Sequence, residues 1–162
     1  MNDNGDKSAV QAAIKQLESD GFDVRFTHYR VTEWGETVRY SRKVGWLDDN
    51  AMDFDGDLDN DAMKELWYGE PAPTGGATRC FLVKDAADNQ SGAFIDVTRC
   101  RSTEQFCYAQ GRRISLARSI ELMVDKVPSL DREVYNRLRG VLWQEIHEYW
   151  KSKGNGAGQP KA

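Results

Sequence analysis

FDVRFTHYRVTEWGETVRYS, residues 22–41, is the stretch of sequence that decides the fold. Phe22, Val24 and Phe26 alternate with polar residues, and Val38 and Tyr40 do the same after an EWGE turn. Alternation with a period of two is typical of a strand with one buried face, and glycine in the connection favours a turn. The stretch therefore predicts an antiparallel hairpin.

A second hairpin is predicted further along the chain. Residues 78–84 and 92–100 are rich in Phe, Ile and Val, and the polar sequence DAADNQ joins them. Such runs between turn residues favour strands. Two hairpins predict an antiparallel sheet of about four strands.

Helical spacing of apolar residues appears at both ends of the chain. Ser8 begins a short helix over 9–20, and Ser102 begins a long helix that ends before Pro128. A second long helix is predicted over about 130–151. We therefore expect an α+β fold, in which the two long C-terminal helices pack on one face of the sheet.

The length of 162 residues suits one domain. We predict a disordered N-terminus at 1–7, a single α+β domain at 8–151 with an acidic insertion at 47–76, and a disordered tail at 152–162. No secretory signal or membrane span is visible, so we expect a cytoplasmic protein that does not bind membranes. Three cysteines without CxxC spacing favour reduced thiols, with a Cys80–Cys100 pair as the alternative.

Residues 47–70 carry nine acids against one base, within a net charge of −4. Aspartate recurs there at every second position: Asp53, Asp55, Asp57, Asp59 and Asp61. In a loop, Asp53, Asp55, Asp57 and Asp61 fall at calcium-ligand spacing, but Leu58 and Lys64 replace the glycine and glutamate of an EF-hand. In an extended strand the row would imitate a nucleic-acid backbone, and as a solvated loop it would only aid solubility.

Trp46 and Trp67 bracket this acidic insertion, in a chain with five tryptophans. Most tryptophans are core residues, but exposed ones beside a charged rim mark binding hot spots. We therefore predict a partner-binding surface of Trp46, Trp67 and the five aspartates.

Basic residues concentrate around the start of the helix predicted after the fourth strand. They are Arg99, Arg101, Arg112, Arg113 and Arg118. Arginines of this kind contact phosphates, so a small RNA- or DNA-binding module is the alternative function. A solvated helix flank is the third interpretation of the same residues.

No catalytic signature accompanies His28 or His147, and no cofactor motif is present. We expect packed or surface histidines, no cofactor, and a protein that is not an enzyme.

The sequences TRCRSTEQF at 98–106 and GRRISLAR at 111–118 resemble small uncharacterised proteins of bacteriophages and other mobile elements. The shared pattern is a strand followed by a helix reading Phe-x4-Gly-Arg-x-Ile-x-x-Ala-Arg. The resemblance implies a strand-to-helix packing element in which Gly111 allows close approach, and it implies no active site.

These observations together predict a phage-type accessory protein that acts by binding in the host cytoplasm. The expected partner is a host protein or protein–nucleic-acid complex that handles nucleic acid or provides defence, and the expected action is anti-CRISPR-like inhibition through the acidic surface.

Overall fold

The computed structural model describes residues 4–47, 67–84 and 93–153. Within these ranges lie three helices and a five-stranded antiparallel sheet, and Trp67 and Tyr68 are also helical. The α+β class predicted from the sequence is confirmed. In chain order the elements are α1 (Asn4–Ser19), β1 (Phe22–Val31), β2 (Thr37–Ser41), β3 (Gly45–Trp46), β4 (Ala77–Lys84), β5 (Ala93–Arg99), α2 (Tyr108–Lys126) and α3 (Arg132–Ser152).

The sheet has the strand order β3-β2-β1-β4-β5. The first hairpin forms as predicted, with β1 and β2 paired in a register from His28 opposite Tyr40 to Val31 opposite Thr37. The additional strand is β3, which pairs Trp46 with Tyr40. A two-residue strand is too short to show alternation, so its sequence carries no signal for it.

The first helix begins at Asn4, before the predicted cap at Ser8, so residues 4–7 are helical and not disordered as we expected. Its end agrees with the prediction. Gly21 has a φ of 94°, and its N–H donates to the carbonyl of Glu18 at 3.1 Å. Glycine adopts this left-handed conformation without the steric cost of a Cβ, so the helix ends here.

Helix α2 begins at Tyr108, and the predicted start at Ser102 is wrong. The backbone just before the helix is hydrogen-bonded to residues 73–75 instead. Phe106 N–H donates to Pro73 O at 2.9 Å, and Gly75 N–H donates to Glu104 O at 3.0 Å. A residue bonded in this way cannot join the ladder of an α-helix. The helix ends at Lys126, shortly before Pro128.

Two compact units divide the chain. The helical unit contains Met1–Phe26, Cys80–Asp96 and Arg112–Ala162, and the aromatic unit contains Thr27–Arg79 and Val97–Gly111. Residues 154–162 lie outside the described part of the chain. The disorder predicted for the tail at 152–162 therefore falls mostly on residues that the structure does not describe.

The core of the helical unit joins the three helices to one sheet face. Phe22 of β1 and Cys80 and Leu82 of β4 are buried, and residues that alternate along a strand share a face. The same cluster contains residues of all three helices, namely Ala9, Ala13, Leu17, Leu116, Ala117, Ile120, Met123, Val124, Tyr135 and Leu142. Burial of these apolar side chains is the main stabilising contribution in this unit.

Tyr135 is the polar exception in that core. Its side chain is buried, and its hydroxyl donates to Asp20 Oδ2 at 2.5 Å. Burial, followed by this hydrogen bond, raises the pKa of Tyr135 well above its ordinary value, so the phenol stays neutral. The bond links α3 to the end of α1.

Candidate functional site

The five aspartates of the predicted acidic surface lie outside the described residues. They are Asp53, Asp55, Asp57, Asp59 and Asp61, and four of them are the calcium candidates. Within residues 4–47, 67–84 and 93–153 there is no group of three or more His, Cys, Asp or Glu residues that could hold a metal ion. The acidic contact and the calcium site both stay predictions.

Trp46, predicted to contact a partner, is a packing residue. Its side chain is 1% exposed, and its Nε1–H donates to Gly69 O at 2.9 Å. Its ring centroid lies 4.8 Å from that of Tyr40 and 5.4 Å from that of Tyr68. A buried indole with its polar group satisfied offers no surface to a partner, so we leave Trp46 out of the candidate site.

Trp67, in contrast, is 65% exposed, and it lies beside a second exposed indole, Trp34, at 72%. The Nε1–H of Trp34 donates to the carbonyl of Trp67 at 2.6 Å. The backbone N–H of Glu33 donates to Tyr68 O at 2.8 Å, which joins the same two segments a second time. We call Trp34 and Trp67 the tryptophan pair.

The β1–β2 turn holds Trp34 in this outward position. Thr32 is 2% exposed, and its Oγ1 accepts hydrogen bonds from the backbone N–H groups of Trp34 and Glu36, both at 3.1 Å. Gly35 adopts a φ of 87°, which few other residues reach easily. Sequence reasoning assigned Trp34 to a turn and missed it as a contact residue, although a large apolar residue at a turn tip was the available signal.

The arginines predicted to form a basic flank on α2 do not share one helix face. At about 100° per residue, Arg118 lies roughly 120° from Arg112 and about 140° from Arg113 around the helix axis. Arg113 is half-buried, and its Nε lies 3.5 Å from Glu145 Oε1. Arg118 is exposed. A continuous basic stripe is therefore not formed by these three residues.

The other two arginines of the predicted set are exposed and lie in the aromatic unit. Arg99 is the last residue of β5, and Arg101 follows in the turn, where its N–H donates to Glu104 Oε1 at 3.3 Å. The five predicted arginines thus divide between the two units. Nucleic-acid binding by this particular set stays a prediction.

The aromatic unit contains a different basic site, which sequence reasoning missed. We call Arg30, Arg42, Tyr40, Phe106 and Tyr108 the arginine–aromatic cluster. The guanidinium carbon of Arg30 lies 4.6 Å from the ring centroid of Phe106, 5.6 Å from Tyr108 and 5.9 Å from Tyr40. Three rings thus surround one guanidinium, an arrangement in which each ring face attracts the positive charge.

Arg42 approaches the same cluster from the β2–β3 turn. Its guanidinium carbon lies 4.1 Å from the ring centroid of Tyr108, and the residue is exposed. The turn is closed by Ser41 Oγ, which accepts from the backbone N–H of Lys43 at 3.1 Å and of Val44 at 3.2 Å. The local run RYSRK at 39–43 was a visible basic signal, but the contact with Tyr108 is not visible in the sequence.

Both histidines are in aromatic surroundings. His28 Nδ1 lies 3.2 Å from Thr78 Oγ1, and its ring centroid lies 4.7 Å from that of Tyr108. His147 is exposed on α3, and its ring lies 5.5 Å from that of Trp150. These are packed and surface positions, of the two kinds that we expected.

All three cysteines are free thiols, so the alternative Cys80–Cys100 disulfide does not form. Cys80 is buried, and burial raises the pKa of its thiol to about 12, against the smaller opposite effect of a hydrogen bond with Ser119. Burial also raises the pKa of Cys100, whose Sγ lies 3.3 Å from Glu104 O. Thiols with raised pKa values are poor nucleophiles at neutral pH.

None of the helices among the described residues combines the length and the hydropathy needed to span a membrane. Comparison with protein-family models, curated proteins and solved structures gives no match for this chain. The resemblance of residues 98–118 to mobile-element proteins therefore stays a prediction. A Cβ on Gly111 would collide with Thr78 Oγ1, so this glycine permits close helix–strand approach.

Proposed function

We propose that the protein acts by binding a partner protein, and that the tryptophan pair is the centre of the contact surface. The partner is a component of a host nucleic-acid-handling or defence complex, which the protein inhibits in the manner of an anti-CRISPR. The proposal that it is a phage-type accessory protein rests on the resemblance of residues 98–118.

The observation that carries the proposal is the exposure of two tryptophans in segments that are hydrogen-bonded to each other. Trp34 and Trp67 are 72% and 65% exposed, and a hydrogen bond of 2.6 Å joins the Trp34 indole to the backbone carbonyl of Trp67. Exposed tryptophan is costly in water, and tryptophan is enriched among the residues that dominate binding energy. Because both segments are anchored through backbone hydrogen bonds, little conformational entropy is lost when a partner covers them.

The chemistry of the partner follows from the neighbouring charge. The acidic stretch of the chain, residues 48–66, directly precedes Trp67 in sequence. A contact centred on Trp67 therefore has a high local concentration of carboxylates beside it, which favours a partner surface rich in Lys and Arg. Grooves that hold nucleic acid have this composition.

The test is an affinity capture of the tagged protein from host lysate with and without nuclease. We expect a nuclease-resistant partner with the wild type, and loss of that partner in the double variant Trp34→Ala/Trp67→Ala, since truncation of a hot-spot residue costs about 2–4 kcal/mol. Leu122→Ala, which shortens an exposed apolar side chain in the helical unit, is the control and should retain the partner.

A second variant tests the charge. Replacement of Asp53, Asp55, Asp57 and Asp59 by Asn should weaken capture and reduce its dependence on salt. Retention of the partner by the double tryptophan variant would refute the proposal. Recovery of nuclease-sensitive nucleic acid alone would refute it as well.

A further inference from the structure

Two guanidinium groups converge on one ring in the arginine–aromatic cluster. Arg30 and Arg42 lie 5.6 Å and 4.1 Å from the ring centroid of Tyr108. They are therefore at most about 10 Å apart, which is about one Debye length at moderate salt. No ion pair to either arginine occurs among the residues that the structure describes. Two positive charges at this separation, without an ion pair to a described residue, favour an anion.

Arg30 is the fixed member of the two. Its Nη1 donates to the Tyr108 hydroxyl at 3.2 Å, and its Nη2 donates to Ala72 O at 2.8 Å. Its Nε is buried and has no hydrogen-bond partner within the described part of the chain. A guanidinium held among three rings by two hydrogen bonds keeps its position, so Arg30 supplies positive potential that does not depend on side-chain motion.

Arg42 is the accessible member. The residue is exposed, its guanidinium carbon lies 4.1 Å from the ring centroid of Tyr108, and a guanidinium carries five N–H donors. Its neighbour Lys43 is also exposed, at the tip of the turn that Ser41 Oγ closes. Residues 39–43 contain three basic residues and no acid.

We infer that Arg42, supported by Tyr108 and by the charge of Arg30, is a binding site for single-stranded nucleic acid. In this site the edge of the Arg42 guanidinium donates to a phosphate oxygen, and its planar face stacks on an unpaired base. The site uses none of the residues of the proposed tryptophan-pair surface, so either can fail without the other.

Stacking favours a nucleic-acid strand over an acidic peptide. A guanidinium is planar, and unpaired bases stack on guanidinium planes as well as on aromatic rings. A carboxylate would use only the donors at the edge, and would gain nothing from the face. The phosphate and the base together therefore match the chemistry that Arg42 displays.

The net charge of −4 opposes nucleic-acid binding at long range, so the affinity must come from these few local contacts. One or two phosphate contacts predict a slope of log K against log salt of about −0.7 to −1.4 for a single strand. A much steeper slope would point to a broad basic surface instead.

The experiment is a fluorescence-anisotropy titration with an oligothymidylate of about twelve nucleotides, which covers the footprint of a small domain. We expect Arg42→Ala to weaken binding about tenfold and to reduce the salt slope by about 0.7. Arg42→Lys keeps the charge but loses the planar face, and should fall between Arg42→Ala and the wild type. Far-UV circular dichroism checks that each variant is folded.

The matched control is Arg25→Ala. Arg25 is also an exposed arginine, it lies in β1 and pairs with Asp23 at 2.8 Å, and its loss changes the net charge by the same amount. Wild-type affinity in Arg25→Ala, together with the loss in Arg42→Ala, supports the inference. It is overturned if the wild type does not bind the strand, if both variants lose affinity equally, or if polyglutamate of equal charge displaces the strand as well as an unlabelled strand does.

Discussion

Gly111→Ala is the substitution whose effect on stability follows most directly from the packing. A Cβ at this position would collide with Thr78 Oγ1 and would lie 2.9 Å from Thr78 Cβ. The neighbour cannot simply swing away, because it is a β-branched strand residue whose Oγ1 lies 3.2 Å from His28 Nδ1. The first turn of α2 or the strand must therefore shift.

The magnitude combines two opposing contributions. Overpacking lowers the free energy of unfolding by about 1–3 kcal/mol, whereas replacement of glycine by alanine within a helix raises it by up to about 1 kcal/mol. We expect a net loss of about 1–2 kcal/mol in the free energy of unfolding. For a chain of this size that corresponds to a decrease in Tm of roughly 2–8 °C.

Gly140→Ala is the matched control, because it is the same change within a helix where a Cβ meets nothing within 4 Å. It should raise the free energy of unfolding by about 0.5–1 kcal/mol. Urea and thermal unfolding followed by circular dichroism would measure both variants. Equal stability of Gly111→Ala and the wild type would refute the claim that this glycine is required by close packing.

Three further predictions concern individual buried and exposed side chains. Tyr135→Phe should lower the free energy of unfolding by about 1–3 kcal/mol, because Asp20 then loses a hydrogen-bond donor, and urea titration measures this. Burial raises the pKa of Cys80 to about 12 from 9.0, so its contribution to stability is complete below pH 9.0 and is lost as the pH rises toward 12. Between those pH values the urea midpoint of Cys80→Ala should therefore fall less than that of the wild type. An equal fall in both would contradict the raised pKa of Cys80. Acrylamide should quench the fluorescence of Trp34 and Trp67 preferentially, because both side chains are exposed. The Trp34→Phe/Trp67→Phe variant should therefore lose most of the quenchable emission. Unchanged quenching in that variant would show that both tryptophans are covered.

The hairpins were predictable because their signal is local. Alternation in residues 22–41 reports directly which side chains face the core, and the structure has β1 and β2 at those positions. The end of α1 at Gly21 was predictable for the same reason, since one residue type supplies the required backbone conformation.

The start of α2 could not be predicted from the local pattern. Ser102 and Gln105 have the spacing of a capping box, but Gln105 forms a bridge with Thr74, and Phe106 bonds to Pro73. These partners are distant in sequence, so no local rule shows that they will compete with the helix.

The candidate sites also combine features that are visible in the local sequence with features that depend on long-range contacts. The sequence marked Trp67 as a contact residue and it is exposed, but the burial of Trp46 depends on packing against Tyr68 and on a bond to Gly69. The contact of Arg42 with Tyr108 likewise joins residues that are far apart along the chain. Composition identifies the residue types, whereas the long-range contacts decide which of them are available.

The contact surface centred on the tryptophan pair is tested most directly by site-specific photocrosslinking. In one variant a photoreactive amino acid replaces Glu36, an exposed residue of the turn that carries Trp34. In the control variant it replaces Glu133, an exposed residue at the start of α3. After irradiation in host lysate treated with nuclease, we predict a specific protein adduct from position 36 and none from position 133. An adduct from position 133 alone, or from neither position, would contradict the proposed surface.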